Sequence, residues 1–327
     1  MEERRRIAEL RAGERVDLCL VVARKTLQPF RDPARGTYLA LWLTDDTGGM
    51  PARMWEGAES AAACIEVERP LRVVGLVESY RDTLQLNLER VEPVPEGAWR
   101  PEDFLPVSPR EPEAVAAELE VLCRSVQDPY LARLLEMLFA RPGFRQAYLR
   151  APAAKVIHHA YLGGLADHSL EVVRLALTAA ELYPAVDRDL LCCGALLHDV
   201  GKLEEYRYDW VIDYTDRGRL LGHTVLGYEL IAGLLSGING FPRERGQRLL
   251  HLILSHHGEP SWGAPVVPQT LEAAVVAHAD LLSGRTRQFH QILNASRDTG
   301  QSWTPYDRTL ERYLYVGEPG NRGREGA

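Results

Sequence analysis

At 327 residues the chain is long enough for two ordinary domains, each with its own core. A composition of 46% hydrophobic and 26% charged residues is that of a soluble globular protein, and no apolar run approaches the roughly 20 residues needed to span a bilayer. The net charge of −8 excludes a nucleic-acid binder that works through a global positive field, so any such contact must come from local patches.

The amino terminus, MEERRRIAEL, is charged and lacks a signal-type hydrophobic stretch, so a cytoplasmic location is expected. Residues 16–92 read as short strands: VDLCLVVARKTL, TYLALWLTD, MPARMWEG, LRVVGLVESY and TLQLNLERVE. An Ala-rich helical stretch, GAESAAACIE, falls between the third and fourth. Five strands with a helix at that place give the order of an OB-fold, a small Greek-key barrel; another small barrel or sandwich is the alternative. Alternation puts Leu39, Leu41 and Leu43 on one face, and Leu84, Leu86 and Leu88 likewise. Tyr38 and Trp42 then face outward, with Arg53 and Trp55 beside them on the next strand. Aromatics interleaved with an arginine suit the stacking of single-stranded bases; alternatively Trp42 and Trp55 pack against the helical domain that follows.

Six prolines between Pro93 and Pro112 suit an extended, stiff linker. The domain reading is therefore a barrel over 1–95, a linker over 96–112, a helical domain over 113–315 and a disordered tail over 316–327. Helical patterns run through EAVAAELEVLCRSV and PYLARLLEMLFARPGF, then cover about 165–182, 188–201, 223–236, 244–257, 268–284 and 305–315. The fold class expected is multidomain: a small all-β OB-fold barrel followed by an all-α domain.

Five cysteines show no CxxC spacing, and Cys192–Cys193 lie in a stretch that is apolar on every side, so packing is their expected role. That stretch, DLLCCGALL, ends in His198–Asp199, polar groups that are costly to bury unless satisfied. All ten histidines fall at or after His158, and several share helical patterns with acids: His168, His198–Asp199, His223, His256–His257 and Asp280. A lone buried histidine usually bonds a backbone carbonyl, and a lone Asp280 suits a cap or ion pair. The whole set has one common explanation, a metal centre built among helices. Mixed nitrogen and oxygen donors suit zinc, manganese or iron and disfavour calcium.

The order H…HD…H…HH…D, with the strings HHAYLGGLADHSLEV and LLHDVGKLEEY, resembles the HD superfamily of metal-dependent phosphohydrolases over about residues 155–285. With the OB-like domain and YLALWLTDDTGGMPARMW ahead of it, the chain more narrowly resembles the YhaM-type 3′–5′ exoribonucleases. The first resemblance implies that His168, His198, Asp199 and Asp280 surround one metal ion. Its two-metal members imply a second ion at His223, His256 and His257, with Asp199 bridging. Manganese is the metal implied; iron, magnesium and zinc stay open. Two close divalent ions activate water and neutralise charge developing on a phosphoryl group. Lys202 is assigned to a phosphate oxygen, the alternative being a lysine that offsets a helix dipole. His158 and His159 are assigned to substrate phosphate or to support of the site, with a purely structural role as the alternative, and His278 is left without a role.

The function this implies is a metal-dependent phosphodiesterase, a 3′–5′ exonuclease on single-stranded RNA or DNA that releases nucleoside 5′-monophosphates. One alternative is a phosphohydrolase of small linear or cyclic nucleotides with the barrel as a regulatory module. Another is a non-catalytic nucleic-acid scaffold. No membrane partner is expected, and the sequence sets no oligomeric state.

Overall fold

The computed structural model describes residues 5–317, apart from residues 82, 96, 157 and 158 and the side chains of Pro33 and Asp298. His158 and the tail beyond residue 317 lie outside the described residues. The chain divides into two compact units, Met1–Val107 with Arg207–Asp213, and Ser108–Tyr206 with Tyr214–Ala327.

In the first unit, β1 (Arg15–Pro29), β2 (Thr37–Asp45), β3 (Gly48–Met54), β4 (Pro70–Tyr80) and β5 (Thr83–Pro93) form a closed barrel in the order β1-β2-β3-β5-β4. β3 and β5 pair in parallel and the other neighbours antiparallel, which is the OB-fold. Period-two alternation drives it: Leu39, Leu41 and Leu43 of β2, Val73 and Val77 of β4, and Leu86 and Leu88 of β5 are all buried in one cluster. The β2–β3 turn is held by Asp45, whose Oδ1 accepts from Thr47 N (2.8 Å), Thr47 Oγ1 (2.6 Å) and Gly48 N (3.2 Å). Helix α1 (Ala58–Cys64) closes the barrel with Ala58 and Ala61. The Pro-rich segment is no free spacer. Phe104, 2% exposed, packs between the rings of Trp99 and Trp210, at 5.5 and 5.8 Å between centroids.

The second unit is helical: α2 (Pro112–Ser125), α3 (Pro129–Phe139), α4 (Phe144–Arg150), α5 (Gly164–Leu182), α6 (Arg188–Leu197), α7 (Lys202–Glu205), α8 (Asp216–Ser236), α9 (Arg243–Ser255) and α10 (Leu271–Ser296). Side-chain caps start several of these: Asp128 accepts from Tyr130 N and Leu131 N, Asp187 from Leu190 N, and Thr270 from Ala273 N. α6 is buried from Leu190 through Leu197, and α5, α9 and α10 pack around it. Truncating a leucine of that quality to alanine costs about 2–5 kcal/mol, which makes α6 a rigid base for whatever follows it. No described helix is long and apolar enough to cross a membrane.

Two expectations fail in this unit. The helix expected over about 188–201 stops at Leu197, and Lys202 begins α7 after a tight turn in which Lys202 N donates to Asp199 O at 2.9 Å. Residues 305–315 form no helix. They belong to a β-bridged hairpin in which Trp303 faces Tyr315 and Asp307 faces Arg312.

Candidate metal centre

The sequence places costly groups where helices end or break. His198 and Asp199 leave the end of α6, and His256 and His257 leave the end of α9. His223 follows Gly222, whose φ of 73° and ψ of 156° interrupt α8 in a region open only to glycine. Each break frees a side chain from the helical surface and turns it toward the centre. His168 lies in the first turns of α5, and Asp280 lies in α10.

Two triads result. The ligand atoms of His168, His198 and Asp280 lie within 4.8 Å of one another, and so do those of His223, His256 and His257. Asp199 stands between them, 1% exposed. Its Oδ2 is 3.4 Å from both His168 Nε2 and His198 Nε2. Its Oδ1 is 3.4 Å from His223 Nε2 and 3.5 Å from His256 Nε2. Each carboxylate oxygen thus addresses a different triad.

The far nitrogens of the rings decide which face carries the lone pair. His198 Nδ1 meets Ala195 O and His256 Nδ1 meets Ile253 O, each at 2.7 Å. A carbonyl can only accept, so Nδ1 carries a proton in both rings and Nε2 is aimed inward; burial lowers His256 and leaves its Nε2 bare, whereas for His198 the adjacent Asp199 outweighs burial and raises the ring. Glu205, 5% exposed, does the same for His223: Oε1 accepts from both the backbone N and Nδ1 at 3.0 Å. Ser283 Oγ lies 3.1 Å from His168 Nδ1.

Bare nitrogens converge as a result. His223 Nε2 is 3.2 Å from His257 Nε2 and 3.4 Å from His256 Nε2. Protons do not fill this space: burial, followed by the neighbouring His256 and His223 rings, pushes His257 down to about 3, and burial lowers His256 as well. Burial alone would raise Asp199, but the Lys202 ammonium and His198 outweigh it and hold the carboxyl well below its ordinary range. Asp280 is likewise lowered, burial being overcome by its hydrogen bond to His168. Lone pairs and ionised carboxylates crowded together out of water fit divalent cations, whose charge answers both.

Lys202, 8% exposed, donates from Nζ to Asp199 Oδ2 at 2.6 Å. With His257 and Asp280 it lines a cavity of about 310 Å³ whose wall also includes Trp262, Arg285 and Thr309. Glu205, Ser283 and these three wall residues escaped the sequence reading; the one available signal was the acidic pair after Lys202 in LLHDVGKLEEY.

His159 is not on that wall. Its side chain is fully buried, its ring centroid 5.3 Å from that of His168, and Nδ1 lies 2.9 Å from Tyr161 OH, which donates to Asp167 Oδ2 at 3.0 Å. The assignment to substrate phosphate is therefore corrected: the ring backs a ligand candidate and does not face a ligand. His278 bonds Ala274 O at 2.7 Å and belongs to neither triad.

On the barrel, Tyr38 and Trp55 come together at 5.0 Å between ring centroids, and Phe30 completes the cluster at 5.3 and 5.9 Å. Arg35 lies over Phe30 at 4.4 Å and Arg53 over Trp55 at 5.7 Å. Trp42 stands apart from this cluster, opposite Pro51 in the register and beneath Arg24 at 5.6 Å.

A family model described as HD domain matches residues 165–285, the stretch that contains all seven ligand candidates. A protein of Bacillus licheniformis named 3′–5′ exoribonuclease YhaM is 31% identical over 282 residues, covering 86% of this chain and 88% of its own length. The chain belongs to the YhaM family. Relatives of the same name from Geobacillus sp. WCH70 and Bacillus subtilis 168 are 31% and 30% identical, over 88% and 86% of this chain and 87% and 88% of theirs. Among solved structures, the second OB-fold domain of replication protein A from Methanococcus maripaludis covers 30% of this chain and 100% of its own at 19% identity, with a TM-score of only 0.24. At 86–88% of this chain, the matches to these relatives are longer than either unit alone.

Proposed function

We propose that this chain is a metal-dependent 3′–5′ exonuclease on single-stranded RNA that releases nucleoside 5′-monophosphates. The observation that carries the reading is the disposition of Asp199, with one oxygen toward each of two histidine-containing triads. Family membership supports the substrate and polarity, and the Tyr38–Trp55–Phe30 cluster with Arg35 and Arg53 supports a strand-binding role for the barrel. A cytoplasmic setting belongs to the same reading.

His168, His198 and Asp280 would hold one ion, His223, His256 and His257 a second, and Asp199 would bridge them; manganese is the metal we assign. When bound, such a pair supplies Lewis acidity and lowers the pKa of coordinated water. The chain does the rest. Carbonyl and carboxylate acceptors behind His198, His223 and His256 hold the Nδ1 proton and turn Nε2 of each ring inward. Lys202 brings a positive charge to the mouth of the site, where a phosphate oxygen can replace its bond to Asp199. Arg285 stands on the same wall as a second phosphate partner, and Trp262 offers a flat face to a terminal base. The cavity of about 310 Å³ is lined by α7, α10, the segment after α9 and the turn at Thr309, and stepwise removal from a strand end belongs to the same reading.

The test is an oligoribonucleotide labelled at its 5′ end, incubated with the protein and Mn²⁺ and sampled over time. The reading expects a ladder that shortens one nucleotide at a time while the label is retained until late. Early release of labelled mononucleotide would reverse the polarity, and internal fragments would make the protein an endonuclease. An intact strand beside a hydrolysed cyclic or mononucleotide substrate would establish a small-nucleotide phosphohydrolase instead.

A further inference from the structure

The hairpin formed by residues 302–316 wears its aromatic side chains on the outside. Thr304, Leu310 and Leu314 are buried, whereas Trp303, Tyr306, Tyr313 and Tyr315 are 56, 49, 59 and 54% exposed. The arms are tied by Thr304 N to Leu314 O (2.9 Å), Asp307 N to Arg312 O (3.0 Å) and Val316 N to Ser302 O (2.8 Å). Across the arms the outward rings pair, Trp303 with Tyr315 at 5.1 Å and Tyr306 with Tyr313 at 5.2 Å between centroids. At a rise of about 3.3 Å per residue, the two pairs lie roughly 7–10 Å apart along the hairpin.

Four exposed aromatic side chains gathered on one hairpin suit a binding surface, and their location bears on what it would bind. The turn is fixed by Asp307, whose Oδ1 accepts from Thr309 N, Thr309 Oγ1 and Leu310 N at 2.9, 2.6 and 2.8 Å. Thr309, on that turn, accepts from Gln288 Nε2 of α10 and lines the cavity beside Asp280, Lys202 and Trp262. One end of the hairpin is therefore part of the catalytic pocket, and the paired rings lead away from it. Asp307 is spent on the turn, leaving Glu311 as the exposed acid of the loop, while Arg308 and Arg312 are exposed on the hairpin and Arg285 on the pocket wall. Flat aromatic faces with arginines nearby suit bases and phosphates alike.

We propose that this hairpin is a single-strand track that receives the nucleotides next to the 3′ end as that end enters the metal pocket. The proposal rests on the exonuclease reading and adds a second strand-binding surface, in the same unit as the chemistry. Bases stack on the Tyr306–Tyr313 and Trp303–Tyr315 pairs, and Arg285 and Arg308 meet the phosphates.

The experiment uses the full chain and a fluorescent oligouridylate of about twelve nucleotides, with EDTA present so that binding is read without turnover. The variant Trp303→Leu/Tyr306→Leu/Tyr313→Leu/Tyr315→Leu keeps apolar bulk but removes every stacking face; Trp303→Leu/Tyr315→Leu is the milder control should the first fail to fold. Anisotropy should show Kd rising about tenfold or more, and in Mn²⁺ the loss should fall on KM for the long strand far more than on kcat. An unchanged Kd overturns the track. So does a changed sedimentation coefficient, which would make the face a contact between copies of the chain. If the parent protein neither binds nor shortens the strand, the exonuclease reading falls and the track with it; if the parent does both and the leucine variants match it, only the track falls.

Discussion

Asp199 is the residue on which the two triads meet, and Lys202 is what steadies it when the surrounding nitrogens are bare. Both were legible in the string HDVGK, because a carboxylate at the end of an all-apolar helix demands partners. What the string did not disclose was Glu205, since a pair of glutamates shortly after a lysine reads as solvated surface. Its Oε1 instead fixes both the backbone and the ring of His223. Burial alone would raise Glu205, but the His223 hydrogen bond overcomes it and lowers the carboxyl, so it serves as an acceptor across the neutral range. Glu205→Gln should therefore weaken the second metal equivalent by about 10–100-fold while the first titrates as before. Calorimetric titration of Mn²⁺ into the metal-free protein measures both; identical second affinities in parent and variant would show that Glu205 does not orient His223.

Among the elements, the helices that carry ligands matter most where they stop. Periodicity located α5, α6, α9 and α10 well, yet it extended α6 to residue 201 and α9 to 257, because the same apolar pattern runs through the turn that follows each helix. The terminal hairpin was missed for a related reason. Tyr306, Leu310, Tyr313 and Leu314 satisfy a helical spacing, while the alternation of exposed Tyr313, buried Leu314 and exposed Tyr315 satisfies a strand, and the Asp307 turn with Glu311 at a φ of 54° settles it for the strand. Gly201 sets the approach of α7 to α8: a Cβ there would lie 2.0 Å from His223 O and 2.5 Å from Gly227 N, both backbone atoms that cannot swing aside. Gly201→Ala should thus cost about 1–3 kcal/mol of stability and displace His223 from its triad. A urea melt reads the first effect and the Mn²⁺ stoichiometry the second. A variant with parental midpoint and parental metal content would show that the two helices tolerate separation.

At the scale of the whole molecule, alternation and loop order were enough to give the barrel, and the histidine spacing was enough to give the metal-bearing helical unit. The proline-rich stretch misled because proline density speaks of stiffness and not of exposure, and Phe104 sits in its middle, buried between two tryptophans. On the barrel, Tyr38, Arg53 and Trp55 fell together as a strand pair should place them, whereas Trp42, four residues along β2, lies outside the ring cluster and Phe30 takes part in it. Tyr38→Ala/Trp55→Ala should weaken binding of a long single strand by about 1–3 kcal/mol for each base that loses its stack. Trp42→Ala should have the smaller effect. Anisotropy with a labelled oligoribonucleotide checks the order, and an equal or larger loss at Trp42 would move the binding surface away from the Phe30 cluster.

The central claim is that one carboxylate joins two metal sites, and metal stoichiometry tests it most directly. Native mass spectrometry of the chain equilibrated with Mn²⁺ should find about two ions per chain, falling toward none in Asp199→Ala together with loss of hydrolysis. A single ion in the parent protein, or an Asp199→Ala variant that keeps its full complement of metal and its activity, would contradict the account.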